Sequence, residues 1–227
     1  MVAHSELRWS TTFQGIREDA LRYMFYDKAV TEFRAKLFIP TLLSNPGLQA
    51  STVYRLSRHI HLQPRRRLAT RFAAAAVLII KRFADVRTGI WIAKGADIAP
   101  GLYIAHSGGV VIGPATIGAN CNLGHGATLG VNEEGDDRGC PVVGERVAIG
   151  PGAMVFGPVT IGNDAVVGAN SVVTRDIPDR GVAVGVPAKV TSERGSFNLV
   201  RYAGFEADAS RADALSRVAQ AKPDYSL

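Results

Sequence analysis

The chain has 227 residues and a net charge of +6, with 47% hydrophobic and 20% charged residues, a balance that fits one sizeable globular domain plus an appendage. Two cysteines, Cys121 and Cys140, are too few for a disulfide framework, and the apolar run Phe72–Ile80 falls far short of the roughly 20 residues of a membrane span. The opening Met1 to Glu6 lacks a basic-then-apolar signal, so reduced thiols and a cytoplasmic location are expected.

Residues 1–90 carry no repeat. Phe13 to Leu37 and Leu48 to Ile60 read as helices, with breaks at Pro40, Pro46 and Pro64. Thr70 to Phe83 reads as another helix, its Ala-rich face turned toward a core at the mouth of the repeat region beyond residue 90. Between Ser51 and Ile90 nine Lys and Arg residues face one acid, Asp85. Such a block suits an anionic membrane, a polyphosphate cofactor or a solvated helix face. It lacks the interleaved aromatics that single-stranded nucleic acid would want, so no nucleic-acid partner is expected.

From residue 91 onward the period is six. Aliphatic residues stand at Ile92, Ile98 and Ile104, then after a one-residue slip at Val111, Ile117, Leu123 and Leu129. They resume at Val143, Ile149, Val155, Ile161, Val167 and Val173. Most are followed by Gly or Ala, and four residues on comes a mostly small or β-branched side chain: Ala96, Gly108, Ala115, Cys121, Ala127, Val147, Ala153, Val159, Ala165 and Ser171. A helix would repeat at three and four, and a plain strand at two. Period six is a short strand and a corner, repeated, and stacked coils of three such faces bury one aliphatic column. The predicted class is mainly β, a parallel β-helix over 91–190, with a helical region 1–90 before it and a C-terminal tail 191–227. Within that tail, Glu206 to Lys222 reads as a surface helix or frayed end.

Two interruptions mark where chemistry is expected. The slip follows His106, and fourteen residues separate Leu129 from Val143, throwing out a Gly- and acid-rich loop. His106 and His125 each stand two residues after an aliphatic position, nineteen apart, which is one coil plus the slip. They should stack at one exterior corner about 4.8 Å apart, as a candidate base and its partner. Cys121 takes an inward small position and reads as core. Cys140 lies in the loop, where a nucleophilic role would want an adjacent base.

GLYIAHSGGVVIG (101–113), GATLGV…GDDRGCPVVGERVAIGPGA (126–153) and VVGANSVVTRDIP…GVPAKV (166–190) resemble the serine O-acetyltransferase family of hexapeptide-repeat acyltransferases. NPGLQASTVYRLSR (45–58) looks like its shorter-headed relatives from polysaccharide gene clusters. The resemblance implies a left-handed coil, a homotrimer, and acetyl transfer from acetyl-CoA to a small hydroxyl acceptor by direct attack, with no metal. It places the catalytic histidine at His106 and acceptor contacts at Asp137 and Arg138. Pro151, Ala169, Arg175 and Lys189 fall along the CoA side. The sequence departs from the pattern where the family has two aspartates, here Ala105 and Trp91, and a second histidine, here Cys140. L-Serine or a sugar remains open as acceptor. Two other readings are carried: a degenerate trimeric scaffold that only binds partners, and a metal enzyme like the γ-class carbonic anhydrases, which needs three histidine ligands.

Overall fold

A computed structural model describes residues 8–63, 68–132, 138–212 and 216. Four helices lead: α1 (Trp9–Lys28), α2 (Ala35–Ser44), α3 (Pro46–Leu62) and α4 (Leu68–Thr88). The predicted single helix through Leu37 is two, because Ala29 turns left-handed and closes α1 by donating its N–H to Phe25. Pro40 lies inside α2 and does not end it. Proline removes only one bond of the ladder, and Leu37, Phe38 and Leu42 hold the helix on a cluster of Tyr23, Met24 and Leu48. Pro46 opens α3 at its first turn, where a missing N–H costs nothing. Pro64 lies outside the described residues.

Fourteen short strands then climb the coil: β1 (Ile90–Ile92), β2 (Asp97–Ile98), β3 (Tyr103–Ile104), β4 (Val110–Ile112), β5 (Thr116–Ile117), β6 (Asn122–Leu123), β7 (Thr128–Gly130), β8 (Val142–Val143), β9 (Ala148–Ile149), β10 (Met154–Phe156), β11 (Thr160–Ile161), β12 (Val166–Val167), β13 (Val172–Val173) and β14 (Val182–Gly185). Through β13 every third strand joins one face, and β14 then follows β12. The three sheets run β1-β4-β7-β10-β13, β2-β5-β8-β11 and β3-β6-β9-β12-β14, all parallel, and an antiparallel β15 (Ala188–Ser192) closes the last. The fold is a left-handed parallel β-helix with an N-terminal helical region.

The interior is the predicted column. Ile92, Ile98, Ile104, Ile117, Leu123, Leu129, Val143, Ile149, Val155, Ile161, Val167 and Val173 are all buried, and so are the small positions from Ala96 to Ser171 apart from Gly108. One position departs from the expected register. Val111 points outward and Ile112 takes the inward place, paired with Ile92 and Leu129. The interruption after His106 therefore inserts two residues before β4 and removes one after it. In the run Val110-Val111-Ile112, strand alternation decides the facing.

The helical region caps the open edge of the first coil, whose backbone would otherwise stand unpaired. Tyr54 Oη donates to Ala96 O at 2.9 Å, and Arg55 Nη1 and Nη2 donate to Ile98 O and Ala99 O. Asp19 Oδ1 accepts from Gly101 N and Leu102 N at 2.9 and 3.0 Å, and Tyr23 Oη accepts from Ile104 N and donates to Ile104 O. Arg55 also grips Asp19 with two bonds of 2.7 Å. Gly47 has to be glycine here, since a Cβ would lie 2.5 Å from Ile104 O.

Behind the coil, the tail is anchored. Arg211 is fully buried, 3.0 Å from Asp164, and Phe197, Val200 and Tyr202 are buried with it, so this part of the predicted surface helix is packed against the coil. Phe205–Ala207 forms a short 3-10 turn and residues 209–212 are helical, as expected for this span, while most of 213–227 lies outside the described residues.

His59 in α3 is buried, with Thr12 Oγ1 2.9 Å from Nδ1. Burial lowers its pKa, so the unfolded chain takes up the proton first as pH falls. Stability should be lost as pH drops below the unfolded value of about 6.5. Thermal melts from pH 7.5 to 5.5 check this: the fall in Tm should be shallower in His59→Gln.

Candidate active site

The geometry starts from one strand ladder. Ile104, Leu123, Ile149 and Val167 pair in register across β3, β6, β9 and β12. Two residues beyond each lie His106, His125, Pro151 and Ala169, so these four occupy one corner of successive coils. Gly124 permits the stacking, because a Cβ there would meet Pro151 N at 2.5 Å. The His106 and His125 rings sit edge to face, their centroids 6.0 Å apart, and both side chains are exposed.

His106 differs from its corner mates in backbone as well as in sequence. Elsewhere the left-handed residue comes three after the aliphatic one, as at Asn120, Arg146, Asp164 and Asn170. After Ile104 it comes one residue early, at His106 with φ 63°, followed by Gly108 at 102° and Gly109 at 69°. The two-residue insertion thus re-aims His106, and a non-glycine residue held left-handed carries a conformational cost.

Among the described residues neither imidazole has a hydrogen-bond partner, and no carboxylate orients either ring. Ala105 is half-buried, and Trp91 faces outward from β1 at 45% exposure. The backbone N–H groups of His125 and Ala169 also have no acceptor within the described chain, which leaves two donors along the corner for a ligand. No group of three His, Cys, Asp or Glu side chains converges to hold a metal ion among the described residues.

The other predicted positions scatter along the coil. Arg138 is exposed just after the loop, whose base is pinned by paired backbone bonds between Asn132 and Gly139. Asp137 lies outside the described residues. Arg175 is exposed after β13, and Lys189 is exposed on β15 opposite Val184. Cys140 is partly buried and its thiol pKa is raised by that burial, which opposes a thiolate nucleophile. Cys121 is buried, with Sγ 3.1 Å from Gly144 O, and burial pushes its thiol up to about 12. A groove of about 360 Å³ between α3 and α4 shares no lining residue with the corner.

The sequence reading missed the contribution of the helical region to this corner. Tyr23 and Gly47 brace Ile104, two residues before His106. No local pattern signals contacts that span 57 and 81 residues.

Residues 140–175 match the bacterial transferase hexapeptide (six repeats) family, and residues 114–132 match the hexapeptide repeat of succinyl-transferase. The chain is 42% identical over 155 residues to a serine acetyltransferase of Helicobacter pylori strain J99, covering 67% of this chain and 86% of that protein. It is 40% identical over 149 residues to a serine acetyltransferase of Mycobacterium tuberculosis strain H37Rv, covering 65% of this chain and 62% of that one. In structure it is similar to Neisseria gonorrhoeae serine acetyltransferase in complex with serine, with a TM-score of 0.67 and 29% identity over 81% of this chain and 70% of that one. A serine acetyltransferase in complex with CoA superposes with a TM-score of 0.64 at 29% identity, covering 81% and 71%.

Proposed function

This chain belongs to the serine acetyltransferase family, and from that premise we propose that it moves an acetyl group from acetyl-CoA to the hydroxyl of a small acceptor. The observation that carries the proposal is the four-coil corner: two histidines with free ring nitrogens, continued by Pro151 and Ala169. Residues 91–190 are the catalytic unit, supported by the head 1–90 and the tail 191–227.

The chemistry needs few groups. The acceptor hydroxyl attacks the thioester carbonyl while His106 takes its proton. The tetrahedral oxyanion is held by N–H donors at the corner. It collapses with loss of the CoA thiolate, which recovers the proton from the imidazolium and leaves as free thiol. The products are CoA and an O-acetyl ester. His125 lies one coil along and supports the base through its ring edge. The CoA chain follows the corner past Pro151 and Ala169, with Arg175 and Lys189 as cations toward its phosphates.

Arg138, just after the loop, meets the acceptor; Asp137, assigned to the acceptor by the family resemblance alone, lies outside the described residues. With Ala105 and Trp91 where the family has carboxylates, the ammonium of an amino acid finds no counter-charge in the described corner. L-Serine, the ligand in the similar Neisseria gonorrhoeae structure, and a sugar both stand as candidate acceptors. Truncating Arg138 to Ala should raise KM for a carboxylate-bearing acceptor at least tenfold and leave KM for acetyl-CoA unchanged, read in initial-rate kinetics; charge-assisted bonds of about 1.5–3 kcal/mol set that scale.

A homotrimer in the cytoplasm is part of the same proposal. On the outer side of the first sheet Trp91, Val111, Met154 and Phe156 are exposed and apolar, as a face between copies requires.

The donor half is tested by calorimetric titration with CoA. Ala169 is exposed, so Ala169→Trp should leave the coil folded and block the corner. CoA binding by the wild type and its loss in the variant support the reading, and undiminished binding by Ala169→Trp would move CoA elsewhere.

A further inference from the structure

The Ala-rich stretch of α4 was expected to face the core, and it does not. Among its side chains with described burial, only Lys81, Ala84 and Thr88, near its C-terminal end, are buried. Phe72, Ile79, Phe83 and Val86 are 68%, 70%, 69% and 71% exposed. At intervals of seven, four and three they form one stripe along the helix, directed away from α3. A face this apolar and this exposed marks an interaction surface.

Its charges indicate the occupant. Arg71 and Arg82 flank the stripe on one side and Arg87 on the other, all exposed. The single acid of α4, Asp85, faces the buried side and is paired with Lys81 at 2.8 Å. The exposed side of α4 is therefore an apolar stripe edged by cations with no carboxylate to offset them. Against α4 of a second copy those arginines would meet like charge and no carboxylate. The row on the outer side of the first sheet, Trp91, Val111, Thr128, Met154 and Val172, has no acid to offer them either. No described helix is long and apolar enough to cross a membrane, so α4 can only lie along a surface.

We propose that α4 is an interfacial helix that lays its Phe72–Val86 stripe onto an anionic lipid surface, with Arg71, Arg82 and Arg87 meeting the headgroups. The enzyme would then work beside a membrane without spanning it. This is independent of the acceptor's identity and of the role given to His106.

The test is co-sedimentation of the full chain with vesicles of phosphatidylcholine alone or mixed with phosphatidylglycerol, at low and high salt. The wild type should pellet with the mixed vesicles, and less so as salt screens the arginines. Phe83→Glu should lose most of this binding while keeping its oligomeric mass and its rate of acetyl transfer in solution. Arg71→Gln and Arg82→Gln, which leave the stripe intact, should each weaken partitioning about fivefold, as expected for about 1 kcal/mol per basic residue. No pelleting with mixed vesicles, or equal pelleting with phosphatidylcholine alone, would overturn the proposal. So would a fall in oligomeric mass of Phe83→Glu, because α4 would then be a contact between copies.

Discussion

Acetyl transfer by a His106→Asn variant is expected to fall about 10²–10⁴-fold, the usual share of a positioned general base. Asparagine is the informative replacement. It tolerates the left-handed backbone found at this position, so the loss reports on chemistry and not on a relaxed corner. CoA affinity should change little, because Pro151 and Ala169 lie on later coils of the ladder. The effect should appear in kcat with KM for acetyl-CoA nearly constant, which is the signature of an interaction made in the transition state. The same substitution at His125 should cost less, since that ring reaches the reaction only through its neighbour. Near-wild-type turnover by His106→Asn would remove the base from this corner altogether.

The largest expected loss of stability comes from Asp19→Ala. Asp19 is fully buried and accepts four hydrogen bonds, two from Arg55 and two from the backbone of Gly101 and Leu102. Removing its carboxylate strands the Arg55 guanidinium away from water and uncaps the first coil. Breaking a buried pair by removing one partner costs about 3–5 kcal/mol, to be read as a lower urea midpoint. Replacing Asp19 and Arg55 together should cost less than the sum of the two single changes. If the two losses simply add, the pair is not coupled and the capping role of the head fails. Because Tyr23, one turn further along α1, holds Ile104, loosening this edge should also reach His106.

The coil was legible because its signal repeats. Twelve of thirteen assigned aliphatic positions are inward, and each copy of the period corrects its neighbours. The exception, Val111, falls where the period breaks and three β-branched residues stand in a row, so composition could not choose a facing. The stacking of His106, His125, Pro151 and Ala169 was readable for the same reason: it depends only on register. The left-handed turn at His106 was not readable, since it results from how an insertion is absorbed. Asp19, Tyr23 and Arg55 gave no signal, because their partners lie 36 to 83 residues away and nothing local distinguishes a capping carboxylate from a solvated one. The Ala-rich stretch of α4 misled for a related reason. Small apolar residues suit a core, and only the fold reveals that α3 covers the other side of that helix.

Of all these tests, release of free CoA thiol from acetyl-CoA bears most directly on the central claim. It would be measured with L-serine and then with a panel of sugars and amino alcohols, each product identified by mass. Thiol release tied stoichiometrically to an O-acetylated product is the predicted result, and the acceptor that supports it names the substrate class. CoA binding without acceptor-dependent release across the whole panel would contradict the claim and leave a scaffold that keeps the coil and has lost the chemistry.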